Sequence, residues 1–277
     1  MPELPETETI ARDLNDAVAG AVIASVRVTR PDVLREVDAD ELARRIAGAT
    51  IERAWRRAKL VVLDLSSADR VVVQPRFTGA VLIDEPARPL PDAERRYSTL
   101  ELRLVDGRAL HYRDIRRLGT VALMTPPRWA EYSGSLGVEP LDPAFSADHL
   151  SALLRGSRQA VKKLLMDQRV VVGVGNIYAN EALWRAGIDP SREGRSLSAA
   201  DAARLRDEIV AVLEESIALR GTSFRDYRDA RGERGGFVER LSAYGRAGLP
   251  CLRCNARLAD THEIDGRSTV FCAWCQR

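Results

Sequence analysis

Four cysteines confined to the last 27 residues, in the string CLRCNARLADTHEIDGRSTVFCAWC, form two C-x2-C pairs with seventeen residues between them. Each pair sets two thiolates on one side of a tight turn, and two such knuckles on a short hairpin supply the four sulfurs of tetrahedral zinc. Cys251, Cys254, Cys272 and Cys275 are therefore the expected ligands of one structural Zn2+. Disulfides do not suit a chain expected in the cytoplasm, and a redox pair would need only one C-x2-C. No cysteine is left over for nucleophilic catalysis. The opposite end carries different chemistry: MPELPETET places a proline second and sets Glu3, Glu6 and Glu8 around the start of a helix. With Met1 removed, as a small second residue permits, Pro2 offers a terminal secondary amine. Such a group has a pKa near ~8 against ~10.4 for lysine, so it is far more often neutral and nucleophilic. Between the two ends, VVVGVGNIYANEALW puts glycines and Asn176 at a helix start, where backbone N–H groups either hold a phosphate or simply turn the chain.

These groups must be positioned by folded elements. The chain of 277 residues with 45% apolar content is long enough for one large domain or two ordinary ones with real cores. Its longest apolar runs fall short of a membrane span, and the N-terminus lacks a basic-then-apolar signal, so a cytoplasmic protein is expected. Net charge is only +2, but residues 151–277 hold 21 basic against 16 acidic side chains, while residues 1–150 hold 21 against 24. The second half is the basic half. Among the 42 basic residues only Lys59, Lys162 and Lys163 are lysines, which singles them out against an arginine-rich background.

Residues 5–19 show helical spacing at Ile10, Leu14, Ala17 and Val18, with Pro5 early and Gly20 at the end. Glu6 and Glu8 fall in the first turn, where a helix favours negative charge. From about 20 to 125, short apolar runs alternate with turn signals, which predicts an all-β region, a sandwich or a barrel, with this helix and ADELARRIAG packed on it. Around TPPRWAEYSGSLGVEPLDP the pattern dissolves into Pro, Gly and Ser, and a linker is expected there. Helical segments follow, then RGTSFRDYRDARGERGGF, which reads as a long surface loop, then the cysteine segment. The expected division is a catalytic β domain at 1–130, a linker at 131–145, a helical domain at 146–236 and a zinc segment at 237–277.

The strings PELPETET, RRAKLVVLDL, LGVEPL, VVVGVGNIYANEALW, YGRAGLPC and GRSTVFCAWCQ together resemble the formamidopyrimidine-DNA glycosylases of bacteria over essentially the full length. The resemblance implies an α+β multidomain fold: an N-terminal β-sandwich with flanking helices, a helix-two-turn-helix domain and a zinc ribbon. It also implies a monomeric base-excision enzyme that acts on damaged double-stranded DNA, removes oxidised bases through Pro2 and nicks the abasic strand. Glu3 matches the general acid, and Lys59 the β-turn lysine that serves elimination or contacts phosphate. Glu6 matches a residue lining the damaged-base pocket and is equally explained as a helix-start carboxylate. Arg158, Lys162 and Asn176 match phosphate-binding positions, and Arg267 matches the zinc-hairpin arginine that contacts DNA and serves the second elimination.

Two strings depart from the family pattern. QPRFTG stands where HLGMTG is usual and DIRRLG where DPRRFG is usual, so Phe77 replaces a methionine wedge and Leu118 a phenylalanine, while Arg117 is kept. These side chains would fill the vacated stack and read the opposite base, so base preference is the open property. One rival is a Nei-like glycosylase for oxidised pyrimidines, which the long glycine-rich loop argues against. The other is a non-catalytic lesion-binding protein, which would not need a terminal proline.

Overall fold

The computed structural model describes residues 2–277, which divide into two compact units. The first runs to Gly134 and takes in Leu219–Gly236, and the second combines Ser135–Ala218 with Phe237–Arg277. The glycine-rich segment 219–236, expected within the helical domain, thus belongs with the first unit. Chain order suggested otherwise because the segment has no periodicity to show which core it joins.

The first unit opens with helix α1 (Leu4–Val18), whose Ile10, Leu14 and Val18 are fully buried. There follow β1 (Ile23–Val28), β2 (Leu34–Arg35) and α2 (Ala39–Ile46), the last capped by the Asp38 carboxylate, which accepts the N–H of Glu41 at 2.8 Å. Strands β3 (Ile51–Arg57), β4 (Leu60–Leu65), β5 (Arg70–Gln74) and β6 (Gly79–Asp84) come next. Short α3 (Asp92–Arg95) precedes β7 (Ser98–Leu104), β8 (Ala109–Asp114) and β9 (Thr120–Met124).

The strands form two sheets, of order β1-β7-β8-β6 and β2-β9-β5-β4-β3, antiparallel except for the β2–β9 pair. Val61, Leu63, Val71 and Val73 of the second sheet share one core with Val81, Leu100, Leu102 and Leu110 of the first, joined by apolar side chains of α1 and α2. Each such buried side chain contributes about 1.5–3 kcal/mol, so the expected sandwich with its flanking helices is the arrangement the apolar pattern favours.

Helix α4 (Pro126–Gly134) occupies part of the stretch read as a linker. Its two prolines sit at the helix start, where a missing N–H costs nothing, and Trp129 is buried. The second unit contains α5 (Ala147–Leu154), α6 (Val161–Met166), α7 (Asn176–Ala186), α8 (Ala199–Ala218) and a hairpin of β10 (Ala259–Thr261) and β11 (Thr269–Phe271). Helix α7 ends at Gly187, which takes the left-handed conformation at φ 69°. No helix among the described residues is long and apolar enough to cross a membrane.

Placement of α1 on β3 depends on a charged contact. Glu8 Oε2 accepts from Arg56 Nε at 2.8 Å, and Glu8 Oε1 accepts from Arg12 at 2.7 Å. Burial alone would raise the Glu8 carboxyl, but the charge and hydrogen bonds of Arg56 and Arg12 outweigh it and hold the group below its usual 4.5. A carboxylate with a lowered folded-state pKa contributes stability above about pH 4.5 that is lost as the pH falls through the folded value. Glu8→Gln is therefore expected to cost about 1.5–3 kcal/mol at neutral pH. Denaturant melts should show the gap from wild type closing below about pH 4. A gap that stays constant with pH would remove the ion pair from this account.

Candidate active site and nucleic-acid contacts

The chain terminus is held by the first turn of α1. Glu3 is the N-cap residue, and its N–H donates to Glu6 Oε2 at 2.7 Å while its carboxylate accepts the N–H of Glu6. This reciprocal capping box satisfies two N–H groups that a helix start leaves open. Thr7 Oγ1 adds a bond to the Glu3 carbonyl at 2.9 Å. Pro2, Glu3 and Glu6 are all buried, Glu6 completely. The helix-start role of Glu6 is thus present, and its second oxygen does something further: Oε1 accepts the N–H of Thr222 at 2.8 Å.

Glu6 thereby ties α1 to the glycine-rich segment. Tyr227 donates its hydroxyl to the Glu6 carbonyl at 3.3 Å, and Arg220 bridges the buried carboxylates of Asp13 and Asp229. Gly235 is obligatory, because a Cβ there would lie 2.2 Å from the Gly221 carbonyl oxygen. The stretch expected as a surface loop therefore buries Tyr227, Asp229 and Ala230 and leaves Phe224 exposed. Four of its backbone N–H groups go to side chains and others to scattered backbone carbonyls, with a single bridge from Thr222 to Gly236 in place of a ladder, so no period shows in the sequence.

Lys59 lies on the two-residue turn between β3 and β4, where Arg57 pairs with Leu60. Ala58 adopts φ 54°, and its carbonyl accepts from Arg56 Nη1 at 3.1 Å. Since Arg56 also bonds Glu8, the turn carrying the half-buried Lys59 is referred to the helix that carries Glu3. These contacts bring the N-terminal carboxylates and the Lys59 turn into one rigid frame.

Phe77 and Leu118 stand on neighbouring loops, after β5 and after β8, and both are exposed, at 48% and 39%. Asp114 knots the two loops: Oδ1 accepts from the Thr78 hydroxyl, and Oδ2 accepts the N–H of Gly119 at 2.8 Å. Thr78 Oγ1 in turn accepts the N–H of Arg116 at 3.0 Å, and the Arg116 guanidinium lies 5.3 Å from the centre of the Phe77 ring. Arg117 takes φ 52° and pairs with Asp32 at 3.1 Å. Sequence reasoning missed Asp114, although an aspartate closing a strand before a turn is a recognisable signal.

In the second unit Asn176 is the first residue of α7, and its Nδ2 donates to the Ser268 carbonyl at 3.0 Å. Lys162 is fully buried, donates to the same carbonyl at 3.2 Å and to Thr269 Oγ1 at 2.6 Å, and faces Asp265 at 3.9 Å. Both residues, expected at phosphates, here hold the hairpin that presents the exposed Arg267, one residue from Ser268. Arg158 is exposed just ahead of α6. Glu181, also missed, is a fully buried carboxylate that accepts N–H groups from Ser242, Ala243 and Tyr244 at 2.8–2.9 Å. Burial raises its pKa despite those three bonds. A single carboxylate inside the apolar run YANEALW was the available sign.

The four cysteine sulfurs lie within 4.8 Å of one another, with Cys251 to Cys275 at 4.0 Å and Cys254 to Cys272 at 3.5 Å. A zinc ion with bonds of about 2.3 Å needs sulfur separations near ~3.8 Å, so the donor set fits a tetrahedral ion. The thiols are tightly interdependent: hydrogen bonding to Cys254 and then burial push Cys275 up to about 12, burial raises Cys272, and in Cys251 burial is outweighed by opposing hydrogen bonds that bring the thiol down to about 6. Metal analysis should give one zinc per chain in the wild type and close to none in Cys272→Ser, with the first unit still folded by tryptophan fluorescence. Undiminished zinc in the variant would show that other donors hold the metal.

Comparison with known proteins follows this geometry. Residues 1–121 match the family model for the formamidopyrimidine-DNA glycosylase N-terminal domain, and residues 136–228 match that for its H2TH domain. The formamidopyrimidine-DNA glycosylase of Moorella thermoacetica is 43% identical over 260 residues, 93% of each chain. That of a Roseiflexus species is 40% identical over 280 residues, with both chains fully covered. The crystal structure of Lactococcus lactis Fpg (MutM) with a DNA containing N7-benzyl-Fapy-dG superposes with a TM-score of 0.90 at 30% identity over both whole chains. The chain belongs to the formamidopyrimidine-DNA glycosylase family.

Proposed function

We propose that this protein is a bifunctional glycosylase and abasic-site lyase of base excision repair, acting as a monomer in the cytoplasm on damaged double-stranded DNA. The observation that carries the reading is the terminal proline set against a helix start with the buried, hydrogen-bonded Glu3 beside it. Removal of Met1, which lies outside the described residues, frees the Pro2 amine. The positive end of α1 disfavours a proton on that amine and leaves its lone pair available.

Attack of the Pro2 nitrogen on the sugar C1′ forms a C–N bond as the glycosidic bond breaks and its electron pair leaves with the base. The Pro2 N–H proton passes to the departing base, and opening of the sugar then moves the C1′–O4′ pair onto O4′, which takes a proton from Glu3, while the nitrogen lone pair forms the C=N bond of the iminium. A secondary amine gives an iminium with no N–H to lose, so the cation persists as an electron sink. Loss of the C2′ proton expels the 3′ phosphate, and a second elimination expels the 5′ phosphate. Lys59 and Arg267 are assigned to proton donation and phosphate contact in these steps, with Arg158 and Asn176 serving the phosphate-binding surface and the buried Lys162 supporting it from behind through the hairpin of Arg267. Zinc on the four cysteines fixes the hairpin that presents Arg267 and takes no part in the chemistry.

The base is proposed to be an oxidised purine, 8-oxoguanine or formamidopyrimidine. The Leu219–Gly236 segment is anchored to Glu6 yet presents an exposed Phe224, which suits a cover over a flipped base. Phe77 would wedge into the vacated stack, where an aromatic ring is worth about 1–3 kcal/mol, and Arg117 would probe the orphaned partner. The narrower Leu118 would loosen discrimination of the opposite base. The runner-up, a preference for oxidised pyrimidines, draws on a Lactococcus lactis Fpg complex with an oxidised-pyrimidine DNA, a structure that matches at 30% identity with a TM-score of 0.89.

Borohydride should trap the protein on abasic or 8-oxoguanine duplexes, with the adduct on the N-terminal peptide. Pro2→Gly should lose most base excision, on the order of 100-fold or more. An adduct mapped to Lys59 would refute the assignment of the nucleophile. A panel of 8-oxoguanine opposite cytosine or adenine, thymine glycol and an abasic site tests the base. Strong thymine glycol cleavage without 8-oxoguanine activity would favour the pyrimidine reading, and Phe77→Ala should lower excision of the base more than cleavage at the abasic site.

A further inference from the structure

A groove of about 750 Å³ runs beside β1 and β7 in the first unit, lined by Arg27, Arg30, Arg95, Arg96 and Arg117. Asp114 is the one carboxylate on its wall, and it is 1% exposed with both oxygens turned to Thr78, Tyr112, Arg116 and Gly119. Three of the arginines have anionic partners: Arg27 pairs with Glu101, Arg95 with Asp84 at 2.9 Å, and Arg117 with Asp32 at 3.1 Å. Arg30 and Arg96 do not. Both are exposed, and among the described residues neither meets a carboxylate. The Arg30 guanidinium donates to the neighbouring Thr29 carbonyl at 3.0 Å, and the Arg96 guanidinium lies 4.8 Å from the centre of the Tyr97 ring, a cation–π contact that uses none of its N–H donors on a carboxylate.

A wall of five guanidinium groups, two without a carboxylate partner among the described residues and only one, Arg117, paired with an exposed carboxylate, Asp32, is a site for a polyanion. Arg117 lies in the groove and also on the loop next to Leu118, so an anion bound at Arg30 and Arg96 is continuous with whatever Arg117 touches. The half-exposed Arg117–Asp32 pair is weak enough for a phosphate to displace. We infer that this groove holds the sugar-phosphate backbone of the strand opposite the lesion, with Arg30 and Arg96 as phosphate contacts. The inference rests on the proposed assignment of Arg117 to the orphaned base. Guanidinium contacts to phosphate position a duplex without reading its sequence, so the groove would set grip and register rather than lesion choice.

The test is equilibrium binding, without chemistry, of the full-length zinc-loaded protein to a duplex bearing a non-cleavable abasic analogue and to the same lesion strand alone. For the double variant Arg30→Ala, Arg96→Ala, duplex affinity should fall about tenfold, and the slope of log affinity on log salt should become shallower by about two. Affinity for the single strand should move less than about twofold, since the strand the groove holds is missing. The pair Arg30→Lys, Arg96→Lys should restore the salt slope, which separates charge from packing. Unchanged duplex affinity and slope would overturn the proposal, and so would equal losses on duplex and single strand, or a lysine pair that restores nothing. Borohydride trapping by the wild type reports on Pro2 separately, so the two readings fail independently.

Discussion

The position of the chain terminus is decided by two hydrogen bonds between Glu3 and Glu6. A terminus ordinarily frays, because its last residues lose more conformational entropy on ordering than they gain in contacts. Here the first N–H groups of α1 need acceptors, and the carboxylates that supply them stand immediately after the proline. Satisfying the helix start and immobilising the terminus are therefore the same event. The buried Glu6 then carries that order outward, since the oxygen not used by Glu3 receives Thr222 of the glycine-rich segment. A single side chain so links the terminus to the segment proposed to cover the base. Neither oxygen can be replaced by an amide nitrogen without setting donor against donor.

Buried carboxylates recur as the means by which irregular backbone is held. Asp114 gathers the two loops that bear Phe77 and Leu118, Glu181 collects three consecutive N–H groups ahead of the zinc knuckles, and Asp229 with Asp13 receives Arg220. In each case a loop that cannot form a ladder finds its partners on one charged side chain. Charge-assisted bonds are roughly twice as strong as neutral ones, which offsets part of the cost of burying the ion.

Much of this was legible in the sequence. The alternating runs from 20 to 125 and the spacing of Ile10, Leu14 and Val18 depend on periodicity alone, and the sheets and α1 follow them. The cysteine spacing is a local pattern with one chemical solution, and the four sulfurs cluster as it requires. Less legible was anything decided between distant residues. The membership of Leu219–Gly236 in the first unit depends on Glu6 and Asp13, more than 200 positions away, and no window of sequence contains both partners. Helix α4 was hidden for another reason: its two prolines break helices in the interior and start them at the first turn. Lys162 shows the limit of reading charge by type, since a lysine in a basic, phosphate-suggestive region turns out to be wholly buried against a hairpin.

Backbone conformation adds a last constraint. Of the seven non-glycine residues with positive φ among those described, four lie in the loops assigned to function: Ala58 before Lys59, Arg76 before Phe77, Arg117 before Leu118, and Arg220 at the head of the glycine-rich segment. Such conformations cost about 1–3 kcal/mol each and persist only where surrounding contacts over-determine them. Three of the four have that support on an adjacent bond: the Ala58 carbonyl is held by Arg56, the loop of Arg117 by Asp114, and Arg220 by two carboxylates. In two of the four, the residue that follows is a large apolar side chain left facing solvent, Phe77 and Leu118. At these two positions the buried Asp114 supplies the restraint, since Oδ1 accepts the Thr78 hydroxyl just after Phe77 and Oδ2 accepts the Gly119 N–H just after Leu118. The backbone that carries each exposed side chain is thus fixed from the buried side of its turn.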